Sequence, residues 1–392
     1  MVEHSTWFSI TRLWGEHPWV TSILIFLPLY LTWIFFLRFI VLPLAPLRVL
    51  AWNEALAKPD SSTDVEVAVV GSKVKLPLKN LFKNLSLLGS FHSHPIVLRA
   101  WVEMHIDSAL EAFQNLPTVE SRRTFVALPV FLNGKARSSL TPTDLQNICL
   151  RDRWCLFIKG EGGLGKTTLA CRLAFWASAR DPAERICRDR RMLPILLEPE
   201  VGFDVRSDVK TFNRELQGRL QQFLALKYPI SENLFERLLR DRRILVILDG
   251  LSEMSLKPSP DAARLENPNF PVNALIVTSR DDSIRRDLTI EPQRIDSNHL
   301  LSFINSYLVE AGQTQLTDAE LFDASRRLAN LVSMETGITP LLARLFAEQS
   351  VFLQKQNAPL QWLPRTVPDL MLAYLNDVNR NGNETDADDP RQ

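Results

Sequence analysis

Only six histidines and four cysteines occur in the 392 residues of this chain, and neither sign of charge is in excess. Lys plus Arg and Asp plus Glu number 45 each, so no overall field draws the protein to nucleic acid, which has no strong signal here as a partner. The cysteines, Cys149, Cys155, Cys171 and Cys187, have neither paired metal-ligand spacing nor the density of a disulfide scaffold. They read as reduced cytosolic thiols. His92 and His94, in FHSHP, have no third ligand spaced nearby and read as a turn before a helix. Protease, metal and nucleophilic-triad spacings are missing, as is the N-K-x-D sequence of guanine recognition. What is present is a 46% hydrophobic fraction, ample for a buried core and, at this length, for two or three domains.

Residues 18–37, PWVTSILIFLPLYLTWIFFL, carry no charge, and about 20 such residues match the length of a bilayer-spanning helix. Arg38 closes the run, and Trp14, Trp19 and Tyr30 are available as interfacial or packing aromatics. Pro28 kinks such a helix, which membrane helices tolerate. The leader is close to neutral and no A-x-A cleavage site follows, which argues against a removed signal peptide. A buried soluble helix, or a hairpin that also uses FIVLPLAPL, are the competing readings. Arg12 alone precedes the run, whereas Arg38, Arg48 and Lys58 follow it, so the long C-terminal part is expected in the cytoplasm.

Prolines 43, 46 and 59 with KPDSST mark a linker, and VEVAVVGSKVKLPL reads as a hairpin around Gly71-Ser72. Residues 96–116 have helical periodicity, with Val97, Ala100, Trp101, Met104 and Leu110 available for one apolar face. TFVALPVFL reads as a strand ending at Asn133-Gly134, and Thr141-Pro142 as a helix start. This leading unit shows no chemistry of its own. The basic clusters at 185–191 and 237–243 read as helix ends placed before strands, where cations suit the helix dipole.

The chemistry is concentrated further on. CLFIK is an apolar strand, and GEGGLGKTT follows at once. Gly160, Gly165, Lys166 and Thr167 satisfy G-x-x-x-x-G-K-[ST], so residues 160–168 (Gly160, Glu161, Gly162, Gly163, Leu164, Gly165, Lys166, Thr167, Thr168) are expected to cradle phosphates. Glycines let the backbone turn its N–H groups toward phosphate oxygens, and the following helix adds its positive end. Lys166 reaches the β- and γ-phosphates, and the Thr167 hydroxyl holds Mg²⁺. MLPILLE is a second strand and RILVILDGLSEM a third, apolar enough for a parallel sheet buried on both faces. Asp249 leaves the third strand where it can hold Mg²⁺ with Thr167, and Glu253 is placed to orient or deprotonate the attacking water. NALIVTSRDD is a fourth strand whose polar end, Thr278, Ser279 and Arg280, faces the ligand crevice. Arg280 is the candidate to sense or stabilise the γ-phosphate. LTIEPQRID supplies a fifth strand.

In this order, GEGGLGKTT, ILVILDGLSE, IVTSR and TGITPLLARLFAEQ resemble the NACHT family of STAND NTPases, over roughly residues 151–380. The resemblance implies a five-stranded nucleotide-binding domain, a helical subdomain, and an ATP/ADP switch that works by oligomerisation or a partner protein. Carried over by position, Pro340 lies near the adenine; a plain first-turn proline is the alternative. Ser252 stands where the family often has an acid, which leaves Mg²⁺ binding intact and bears on hydrolysis. Family members usually continue into a winged-helix domain and a repeat sensor, whereas NGNETDADDPRQ follows Arg380 here. The chain is then either a piece of a longer protein or works with sensors on another subunit.

The expected class is α/β: a P-loop NTPase with a five-stranded, mainly parallel sheet, preceded by one transmembrane helix and followed by a small helical subdomain. The expected segments are a short N-terminus to residue 18, a transmembrane helix in the lipid bilayer at 19–42, and a linker with the hairpin at 43–90. An α/β leading unit (91–150), the P-loop domain (151–295), the helical subdomain (296–380) and a disordered acidic tail (381–392) follow. Expected ligands are ATP/ADP and Mg²⁺, with slow ATP hydrolysis. An AAA+-like motor that turns over continuously, or a non-catalytic scaffold that keeps its nucleotide, are the alternatives.

Overall fold

The computed structural model describes residues 18–48, 64–69, 72–77, 94–198, 209–226, 229–254, 263–281, 288–312, 316–331, 337–356, 358, 362–364 and 366–386. His92, Gly71, most of the linker and the end of the acidic tail lie outside these. The chain divides into two compact units, Met1–Met104 with Ser231–Asp241, and His105–Ile230 with Arg242–Gln392.

In the first unit, helix α1 spans Pro18–Phe36 and runs through a π-helical turn, Leu37–Val41, into a short turn at Leu42–Leu44. The window Leu27–Leu44 has a mean hydropathy of 1.9 and is 6% buried, so among the described residues one helix is long and apolar enough to cross a membrane. Such a helix near an N-terminus fits a membrane span or a signal sequence. Helix continues beyond Arg38, where the sequence closed the apolar run. Strands β1 (Asp64–Val69) and β2 (Ser72–Pro77) pair antiparallel in register Val69↔Ser72.

Helix α2, Pro95–Gln114, buries Val97, Leu98, Trp101, Val102, Ile106, Ala109 and Phe113. Met104, expected on this face, is 55% exposed, because the buried stripe passes through Ile106 instead.

The second unit is built on a seven-stranded sheet. Its strands are β3 (Val130–Leu132), β4 (Lys135–Arg137), β5 (Trp154–Lys159), β6 (Leu193–Leu197), β7 (Ile244–Leu248), β8 (Ala274–Ser279) and β9 (Thr289–Pro292). Their order is β4-β3-β9-β5-β8-β7-β6. The run from β9 to β6 is parallel throughout, as expected for five strands. Two more strands, β3 and β4, join antiparallel at one edge, which corrects the expected count to seven. They come from the leading unit, whose expected strand 124–132 is a strand only at Val130–Leu132. Pro129 lacks a donor N–H, and the residues before it run as unpaired chain.

The parallel strands form where uninterrupted apolar residues can be covered on both faces. Every residue of β6, β7 and β8 is buried. Leu245, Val246 and Ile247 are fully inaccessible, each worth about 1.5–3 kcal/mol relative to exposure. Helix α3, Lys166–Ser178, follows β5 and packs Leu169, Ala170, Leu173 and Ala174 into the same core. The basic cluster 185–191 does not end this helix; it follows a 3₁₀ turn at Pro182–Glu184. Arg185 and Arg191 nevertheless reach back to the helix end, to Ala179 O at 2.6 Å and Ser178 O at 2.9 Å.

Helix α4 (Val209–Phe223) belongs to this unit, whereas α5 (Glu232–Arg240) belongs to the first. The remaining helices, α6 (Ser297–Glu310), α7 (Asp318–Leu331), α8 (Pro340–Lys355) and α9 (Val367–Asp386), share a second core around Ile304, Leu308, Ala324, Leu328, Phe346 and Leu370. Helix α9 continues past Arg380, through part of the segment expected to be disordered. A two-way backbone bridge at 2.8 Å, Ile295 to Ile338, ties the start of these helices to the residues before α8.

Cys149 and Cys187 form a disulfide with Cα atoms 5.5 Å apart, which corrects the expectation of four reduced thiols. The 38-residue separation hid the pairing from the sequence, since no local spacing signals it. Cys155 and Cys171 are not disulfide-bonded, and burial pushes the Cys171 thiol up to about 12, so it stays protonated. Chain-entropy reasoning gives a bridge closing a loop of that length about 4 kcal/mol of stability. Dithiothreitol, or Cys149→Ser, should therefore lower the melting temperature by several degrees. An unchanged melting temperature with two alkylatable thiols at these positions would exclude the bridge.

Candidate nucleotide-binding site

The loop between β5 and α3 takes its shape from residues that accept left-handed backbone. Gly163 has φ +80° and Gly165, which caps α3, has φ +83°. At Gly163 space matters as well, since an added Cβ would lie 3.2 Å from Leu341 Cβ. The loop leads into the N-terminus of α3, where unpaired N–H groups and the helix dipole favour an anion.

Lys166 is only 9% exposed, and its Nζ donates to Gly160 O and Glu161 O, both at 2.7 Å. Its charge is thus held over the loop by the loop's own carbonyls. Thr167 Oγ1 lies 2.9 Å from each oxygen of Asp249, which leaves the end of β7. Asp249 is anchored from the opposite side, its N–H donating to Leu197 O at 2.9 Å. Thr278, from β8, also meets this carboxylate at 2.6 Å. The strand order explains the meeting: β8 lies between the P-loop strand β5 and the Asp249 strand β7.

Beyond Asp249, the turn Leu251–Met254 carries Glu253, whose Oε1 is 2.8 Å from Arg280 Nη2. Both side chains are substantially exposed, so the pair contributes little to stability. Ser252, standing where the resemblance suggests an acid, accepts from Arg280 N at 3.1 Å.

These groups surround one cavity of about 440 Å³, of the size that small-molecule sites occupy. Gly162, Gly163, Leu164, Gly165, Lys166, Thr167, Thr168, Asp249, Glu253, Arg280 and Pro340 all line it. Gly160 and Glu161 do not line it, and act instead through their carbonyls on Lys166. The Glu161 carboxylate is paired with Arg294, which also donates to Gly337 O at 3.3 Å.

Two groups of lining residues were not legible in the sequence. The leading unit, read as chemically silent, supplies Arg122, Phe125, Val126 and Leu128. Phe125 packs on the sheet core while Val126 and Leu128 pack on the helical core, so this strip joins both walls of the cavity. The helices supply Phe303, Tyr307, Leu341, Arg344 and Tyr374. Tyr307 donates to Glu348 Oε1 at 2.5 Å, and Arg344 holds the same oxygen at 2.9 Å while reaching Ser121 O at 3.0 Å. Burial first, then the Glu348 contact, pushes the Tyr307 pKa up, so its hydroxyl remains a donor. Only Pro340, at the start of α8, signalled this wall.

Helix α8 also touches the phosphate loop through backbone. Leu341 N donates to Gly163 O at 3.1 Å, and Thr339 Oγ1 caps the helix by accepting from Leu342 N at 3.4 Å.

The donor set suits Mg²⁺. A hydroxyl and a carboxylate are hard oxygen ligands, and Mg²⁺ keeps its remaining positions for water and phosphate oxygens. Among the described residues no cluster of three or more His, Cys, Asp or Glu competes as a metal site.

Fold and site together define a P-loop NTPase, with a parallel-dominated sheet and a phosphate loop at the end of one of its central strands. Residues 155–308 match the family model described as NACHT domain. No curated protein matches the chain. Among solved structures it is similar to Cdc6p from Pyrobaculum aerophilum, at 13% identity and a TM-score of 0.33, over 52% of this chain and 56% of that one. It is also similar to a Walker-type ATPase of Pyrococcus abyssi, at 12% identity and a TM-score of 0.36, over 64% and 75% of the two chains. PCH-2 of C. elegans is a third, at 14% identity and a TM-score of 0.25, over 67% and 70%.

Proposed function

We propose that this chain is a membrane-tethered ATP/ADP switch of STAND type, in which nucleotide state sets how the helices α6–α9 sit against the P-loop core. The observation that carries this reading is the hydrogen bond from Leu341 N to Gly163 O, by which α8 rests on the loop that must move around phosphates. Lys166 exchanges the carbonyls of Gly160 and Glu161 for β- and γ-phosphate oxygens. Thr167 and Asp249 hold Mg²⁺, which when bound neutralises phosphate charge. Pro340, Phe125 and Leu341 supply an apolar surface for the adenine.

Glu253 is the group that orders or deprotonates the attacking water, and Arg280 the one that answers γ-phosphate charge. The two side chains are paired with each other, so both must re-aim before either meets water or phosphate. Ser252, standing where the family often has an acid, favours slow hydrolysis and a switch over a continuously cycling motor. Clustering of the chain, or a partner protein on activation, and a role in signalling or defence follow from the NACHT likeness.

Purified full-length chain should retain ADP or ATP and release phosphate far more slowly than about one per second. Faster, sustained release would overturn the switch in favour of a motor. A chain that takes up no nucleotide, even with Mg²⁺ and added ATP, would overturn the site itself.

Residues 19–42 serve in this reading as the bilayer anchor, with the NTPase on the cytoplasmic side; the support is the exposed apolar window Leu27–Leu44. Full-length chain expressed in cells should stay in the membrane pellet after an alkaline carbonate wash. Its appearance in the supernatant would remove the anchor.

A further inference from the structure

Thr278 occupies the second-last position of β8 and is 1% exposed. A valine there would serve the strand equally well, since both side chains are β-branched and suit a pleated, buried surface. The hydroxyl is what distinguishes them, and both of its hydrogen-bonding roles are used at one place. Thr278 Oγ1 donates to Asp249 Oδ1 at 2.6 Å and accepts from Gly250 N at 2.7 Å. Gly250 N–H has a proton and no lone pair to offer, so the single hydroxyl proton of Thr278 is directed to the carboxylate.

Among the described residues, Asp249 has one other hydroxyl partner, Thr167, equidistant at 2.9 Å from both carboxylate oxygens. A contact shared equally between two oxygens does not choose an orientation for the carboxylate plane. Thr167 is moreover the residue whose oxygen is needed by the cation. Thr278 is different: it meets one oxygen only, from a strand fixed on both sides by β5 and β7.

We propose that Thr278 is a positioning residue for the divalent cation, locking Asp249 through Oδ1 so that Oδ2 is presented beside the Thr167 hydroxyl. This inference rests on the Mg²⁺ reading of Thr167 and Asp249 given above. Thr278 itself does not touch the cation. It removes the rotational freedom that Asp249 would otherwise lose on binding, and so strengthens cation binding without adding a ligand.

The test uses full-length chain and a fluorescent ADP analogue, titrated in EDTA and then with increasing Mg²⁺. In Thr278→Val, affinity in EDTA should stay within about twofold of wild type. The Mg²⁺ concentration that gives half of the metal-dependent gain should rise at least tenfold, about 1.4 kcal/mol, and Thr278→Ser should restore it. A Thr278→Val midpoint within twofold of wild type would overturn the proposal, as would a Ser variant as weak as the Val variant. If the Val variant fails to fold, Thr278→Ala against Thr278→Ser makes the same comparison, with equal midpoints overturning it. Wild type that gains nothing from Mg²⁺ would overturn the cation reading itself, and that result is separate from a failure of Thr278 alone.

Discussion

Lys166→Ala should weaken nucleotide binding by roughly 100-fold or more while leaving the fold standing. The side chain is 9% exposed and projects into the cavity, where each charge-assisted hydrogen bond to phosphate is worth about 1.5–3 kcal/mol. Two phosphates then account for a loss of two orders of magnitude even after part of the gain is offset. The offset is real, because Lys166 already donates to two carbonyls at 2.7 Å and must leave them. Those carbonyls belong to Gly160 and the exposed Glu161, so in the alanine variant water can satisfy them, and the melting temperature should move little. Equilibrium titration with labelled ADP reads the effect. Affinity within threefold of wild type would mean that this lysine does not meet phosphate.

Glu253→Gln should separate binding from turnover: phosphate release should fall by about 10²–10⁴, the range of a general base, with ADP affinity changed by no more than a few-fold. Glutamine keeps an oxygen for Arg280 but cannot take a proton from water. The Glu253–Arg280 contact is exposed on both sides, so its alteration carries almost no stability cost that could mimic a catalytic effect. If single-turnover release is unchanged in Glu253→Gln, the base lies elsewhere. Ser252 would not replace it, since its hydroxyl already accepts from Arg280 N.

The parallel strands were legible because burial on both faces demands continuous apolar runs, and ILVIL and ALIVTS have no other easy use. The strand–loop–helix around residues 160–168 was legible because its glycines and Lys166 stand at fixed spacing between an apolar strand and a helix. Residues 124–128 were misread for a physical reason. Phe125 faces one core while Val126 and Leu128 face another, so the alternation resembles a strand without any ladder behind it. Period alone reports which side is buried, never whether the backbone is paired. β3 and β4 are three residues each, too short to announce themselves as two added strands. The Tyr307–Glu348 contact and the Cys149–Cys187 bridge join residues far apart in sequence, where no local pattern reaches.

The bond between Leu341 N and Gly163 O has a thermodynamic corollary. If a bound nucleotide changes the docking equilibrium of α8 by some factor, whatever grips α8 must change nucleotide affinity by that same factor. A protein that pulls these helices off the loop would therefore act as an exchange factor without approaching the phosphates. One that clamps them down would slow nucleotide loss. Partner binding and nucleotide retention become two readings of a single free energy, measurable from either end.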